Sequence, residues 1–148
     1  MAQFQCTACG AIETLDHMIP DCCSSCGSSL VKLRRAEAIA AKNDAFRRNL
    51  FFLDQKEAPD GRMVVTQGIG NLGGALIALI LRAVALQTTF PKDDDPYGEH
   101  DFGTVTIDDT TVFWKIDSYD AAYEFGSENP LDDAMTRRVL TAMLAEEY

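Results

Sequence analysis

Residues 102–116 read FGTVTIDDTTVFWKI, from Phe102 to Ile116. Two β-prone runs, Phe102 to Ile107 and Thr111 to Ile116, flank Asp108, Asp109 and Thr110, and this spacing predicts an antiparallel hairpin. Working outward, Arg62 to Gln67 (RMVVTQ) is a third short β-prone run, bounded upstream by the turn-rich stretch Asp54 to Gly61 and downstream by Gly68. Asn71 or a neighbour can cap a helix that runs to about Leu86, and Phe90-Pro91 marks the exit from it. Its core, Leu72 to Leu81, is broken by Arg82 and falls short of the ~20 residues that cross a bilayer, so it reads as a buried helix. Leu33 to Phe51 has an apolar set at Ala36, Ile39, Ala40, Phe46 and Leu50, with Arg34, Arg35, Lys42, Arg47 and Arg48 mostly elsewhere, which predicts an amphipathic helix with a basic face. At the other end, Asn129 as a cap, Pro130 in the first turn, and Asp132 and Asp133 near the positive end of the dipole predict a last helix with Leu131, Met135, Val139, Ala142 and Met143 as its apolar stripe. The sum is an α+β domain of about three helices and a three-stranded, mainly antiparallel sheet.

All five cysteines of the 148 residues fall between positions 6 and 26. Cys6 and Cys9 enclose two residues, Cys23 and Cys26 enclose two more, and each pair can present two thiolates to one tetrahedral ion. Gly10 and Gly27 follow the second cysteine of each pair, where a glycine lets the chain turn sharply and point amide hydrogens at sulfur. The segment has only Phe4, Ile12, Leu15, Met18, Ile19 and Leu30 as sizeable apolar groups, too few to hold it folded, and metal binding can replace the missing core. The expectation is one structural Zn2+ on Cys6, Cys9, Cys23 and Cys26 in a zinc-ribbon-like module of residues 1–30, followed by a domain of residues 31–148. A tetrahedral iron site is the competing metal, free thiols or a redox pair the non-metal alternatives. Cys22 reads as a spare thiol and His17 as a loop imidazole. The N-terminus has no basic and apolar leader pattern, which with the clustered thiols makes the cytoplasm the expected compartment.

Charge is placed unevenly. Residues 1–89 hold 9 basic and 8 acidic side chains, whereas residues 90–148 hold 4 basic and 15 acidic ones. Such a surface repels nucleic acid and favours a basic partner. Asp93, Asp94, Asp95, Asp108 and Asp109 are the candidate partner-binding acids, and the thirteen acids between Asp93 and Asp133, with only Lys115 as counter-charge, are dense enough to imitate a phosphate array if they share a face. An ordinary solubilising surface is the plain alternative. The segment from Asp93 to Gly103 also carries an imidazole, so Glu99, His100, Asp101 and Asp117 form a candidate metal-dependent hydrolase centre, with His100 a general base oriented by Asp101 or Asp117. Against this stands a loop in which His100 and Asp101 satisfy backbone groups, and the chain supplies no nucleophile elbow and no HExxH spacing. Gly68 to Gly73 matches GxGxxG, but no acidic-ended parallel strand follows, so its glycines read as a tight turn and close helix packing.

The strings DPYGEHDFG, FWKID and RRVLTAMLAEEY, within residues 36–148, resemble an uncharacterised bacterial domain family of unknown function, small proteins carried on chromosomes, plasmids and phages. The resemblance implies no activity, and the cysteine module lies outside it. The leading expectation is a non-enzymatic zinc-binding interaction protein whose acidic half binds a protein partner, with inhibition of a nucleic-acid-handling or defence complex by charge mimicry as the form this binding could take. The alternatives are the hydrolase and a nucleic-acid-binding regulator that uses the ribbon and the basic helix.

Overall fold

A computed structural model describes residues 2–6, 8–10, 12–15, 23, 24, 26, 27, 30–52 and 59–148. His17, Cys22 and most of the turn at Asp54 to Gly61 lie outside the described residues. The chain forms two compact units, Met1–Ala38 and Ile39–Tyr148. The first holds a three-stranded antiparallel sheet in which β1 (Ala2–Cys6) lies between β2 (Ile12–Leu15) and β3 (Leu30–Leu33).

The second unit is α+β. Helix α1 (Arg35–Phe52) runs into it and is followed by β4 (Gly61–Val65), the short α2 (Gln67–Gly70) and α3 (Gly74–Leu86). Then come β5 (Phe102–Ile107), β6 (Thr110–Tyr119), β7 (Arg137–Leu144) and a 3-10 turn, Ala145–Glu147. The predicted hairpin is present as β5 and β6, joined by Asp108 and Asp109 with Ile107 opposite Thr110. The sheet has four strands rather than three, in the order β4-β7-β6-β5, and it is mixed because β4 and β7 run parallel.

The additional strand is β7, where a helix was expected. The helix-start residues are present but close turns instead: the Leu131 amide donates to Asn129 Oδ1 at 3.2 Å, the Ala134 amide to Asp132 Oδ1 at 3.0 Å, and the Thr136 hydroxyl to the Asn129 carbonyl at 2.9 Å. Asn and Asp satisfy local amides equally well when no helix continues. From Arg137 onward a period of two takes over. Arg138, Leu140 and Ala142 are fully buried while Arg137, Val139 and Thr141 are half-exposed, and hydrogen bonding to strands on both sides outweighs the helical spacing.

Trp114, Val112, Ile116, Leu140 and Ala142 from the sheet pack with Phe46, Ile69, Ile80 and Val84 into one core. Two further readings are corrected here. Helix α3 is half-exposed rather than buried, with Leu79 and Leu86 open to solvent. Arg47 does not belong to a basic face: it is 2% exposed on the inner side of α1, where its guanidinium lies 4.8 Å from the Trp114 ring and 5.1 Å from the Phe90 ring. Among the described residues, no helix is long and apolar enough to cross a membrane.

Candidate functional site

Cys6 ends β1, and Ala8, Cys9 and Gly10 turn back beneath it. The amides of Ala8 and Cys9 each approach Cys6 Sγ at 3.4 Å, and the Gly10 amide donates to the Cys6 carbonyl at 3.2 Å. The second pair repeats the closure, with the Gly27 amide on the Cys23 carbonyl at 2.8 Å. Gly10 and Gly27 adopt φ of 76° and 78°, left-handed values that favour glycine, so each pair forms a tight knuckle. The four Sγ atoms of Cys6, Cys9, Cys23 and Cys26 all lie within 4.8 Å of one another. Two separations cross between the knuckles: Cys6 to Cys26 at 3.4 Å and Cys9 to Cys23 at 3.7 Å. Both are too long for a disulfide, whose bond is about 2.05 Å. They match the sulfur spacing of a tetrahedral thiolate site, about 3.8 Å for metal–sulfur bonds of about 2.3 Å. The amides of Cys9 and then Ala8 pull the Cys6 thiol down to about 6, toward the thiolate that a metal needs.

The residues of the acidic segment are engaged in the loop itself. Asp95, 8% exposed, accepts the amides of Glu99 and His100 on Oδ1 at 3.0 and 3.2 Å, and its Oδ2 lies 3.8 Å from His100 Nε2. The other imidazole nitrogen, Nδ1, meets Asp44 of α1 at 2.9 and 3.0 Å, and Asp44 also holds Arg47 at 2.5 Å. Phe90 stacks on the imidazole with ring centroids 4.1 Å apart. The partner of His100 is therefore Asp44, a residue 56 positions away, and not Asp101 or Asp117. Linear spacing gives no signal for that pairing. Asp101 lies near Asp95, Asp117 and His100, and burial pushes its carboxyl above the usual range. Asp117 meets Lys115 at 3.2 Å, and the Glu99 carbonyl accepts from Asn43 at 2.9 Å. Glu99, His100, Asp101 and Asp117 do not converge as a ligand set. Among the described residues, the four cysteines are the group of His, Cys, Asp or Glu whose ligand atoms do so.

The five candidate partner-binding acids differ in their surroundings. Asp95 is buried as described, and Asp94 accepts from the Thr104 hydroxyl at 3.1 Å. Asp93 is exposed, and Asp108, at φ 51°, and Asp109 form the turn between β5 and β6.

Residues 65–147 match the family described as protein of unknown function, DUF3768. The chain belongs to that family. The match is narrower than the span over which the resemblance was read, and it takes in α2 through the 3-10 turn while leaving out the cysteine unit and α1. No curated protein and no solved structure matches the chain.

Proposed function

We propose that this DUF3768 protein is a non-enzymatic interaction protein, in which Cys6, Cys9, Cys23 and Cys26 hold one structural zinc ion and the acidic half binds a protein partner with a basic surface. The convergence of four sulfurs from two glycine-closed knuckles supports the zinc centre most directly. Closed four-thiolate sites leave no position for a substrate and serve folding instead, supplying the stability that a segment with so few apolar residues lacks.

Two observations favour binding over catalysis in the second unit. The imidazole of His100 has both nitrogens facing carboxylates, Asp44 and Asp95, so it is occupied in tying the acidic loop to α1. The excess of 15 acidic over 4 basic side chains in residues 90–148 favours association with cations. Because Asp95 is buried and Asp94 is engaged, the reading rests on net charge and not on an evenly spaced copy of a phosphate array. For the nucleic-acid alternative, the burial of Arg47 takes away one of the cations on which it depended.

The experiment is capture on the immobilised full chain at low and at raised salt, with Asp93, Asp94, Asp108 and Asp109 changed to Asn in a matched variant. A retained protein that is released by salt and lost with the variant agrees with the reading. Retention indifferent to both contradicts it.

A further inference from the structure

Resting on the reading of the acidic half as a partner-binding surface, we propose that a groove beside the β5–β6 turn receives a lysine or arginine side chain of the protein partner. Its aliphatic stem lies on Leu72 and Leu144, and its cationic head meets Asp109 and Glu146. The groove encloses about 340 Å³ between the α2–α3 connection, the hairpin tip and the 3-10 turn after β7, with Thr110 and Thr111 along one wall.

The floor and the rim each specify part of the occupant. Leu72 and Leu144 are partly buried and pack against the central core, so an aliphatic stem placed there extends the core outward. Asp109 and Glu146 are exposed, and among the described residues no Lys, Arg or His lines the groove. An apolar stem ending in a cation suits that combination, whereas a bare metal ion would leave the floor uncovered. A second hollow of about 220 Å³, beside Asp44 and Leu86, differs in this respect, because Asp44 is already held by Arg47 and His100.

Both acids stand on backbone that is fixed beforehand. Glu147, next to Glu146, accepts from the Thr66 hydroxyl at 2.6 Å, the Leu144 amide at 2.8 Å and the Gly68 amide at 3.3 Å. Asp109 belongs to a two-residue connection closed by the Ile107–Thr110 pair. Little ordering is then left for binding to oppose. Every residue of the groove lies within residues 65–147, so the feature belongs to the DUF3768 domain itself.

The test uses the zinc-loaded full chain, with amide chemical shifts followed while a blocked oligoarginine peptide is added at low salt and blocked oligoglutamate serves as the control. The expected result is a set of shifts centred on Leu72, Thr110, Thr111 and Ala145 that fades as salt rises. Asp109→Asn combined with Glu146→Gln should weaken binding roughly five- to tenfold, as the loss of two exposed ion pairs implies, whereas Asp93→Asn combined with Asp94→Asn, an equal loss of charge outside the groove, should weaken it less. The shift map itself needs no variant. Shifts centred on Asp93 and Asp94, or spread evenly over the acids, would overturn the groove and leave the acidic half as the binding surface. No interaction of oligoarginine with any part of the chain would remove both.

Discussion

Glu147 holds the end of β7 in place through its carboxylate. The hydroxyl of Thr66 and then the amide of Leu144 hold its pKa below the ordinary carboxylate range. A depressed folded-state value means stability that is complete above the unfolded value, about 4.5, and is lost as pH falls through the lower, folded one. Glu147→Gln should therefore lower stability near neutral pH and flatten the acid limb of a stability-versus-pH curve measured by urea unfolding. An unchanged limb would show that the carboxylate contributes nothing through these bonds. Gly103 gives a second residue-scale prediction. It lies opposite Trp114, and a Cβ there would meet the indole at 2.5 Å, so Gly103→Ala should cost about 1–3 kcal/mol in the same assay. The knuckle glycines and the four cysteines are legible in the sequence because their function depends on local spacing. Asp44, Asn43 and Arg47 are not, because apart from the Asp44–Arg47 pair their partners are 37 to 95 residues away.

Among the elements, β7 governs the second unit, since it bonds β4 on one side and β6 on the other. Leu140, fully buried at its centre, should cost about 2–5 kcal/mol on change to Ala, detected as a shift of the urea midpoint. A surface helix at this place would lose far less, so the variant also distinguishes strand from helix. The sequence favours the helix because residues 129–133 carry start signals and an apolar stripe at helical spacing, yet the same Asn and Asp side chains close turns. What decides is the strand pairing, which no local window contains. Arg138 adds to the difficulty: a charged residue at 0% exposure, donating to Asn43 at 2.8 Å and to the Pro130 carbonyl at 2.8 Å, breaks the alternation expected of a core strand. By contrast β4, β5, β6, α1 and α3 were readable, because Val, Thr and aromatic runs or long helix-forming runs carry their own period.

For the whole molecule, the division of labour follows from composition. The first unit is short of apolar residues and rich in thiols, and the second has a core around Trp114 with an acidic exterior. A metal is expected to matter for the first and not for the second. Removing it with a chelator should unfold residues in the first unit while the indole signal of Trp114, the only tryptophan, stays native. Loss of the Trp114 signal along with the metal would show that the two units depend on the same ion.

The most direct test of the proposed zinc centre is elemental analysis of the purified full chain. The account predicts one zinc per chain, loss of that zinc in Cys6→Ser, and its retention in Cys22→Ser. A folded wild-type protein that carries no metal, or one whose metal survives Cys6→Ser unchanged, would contradict it.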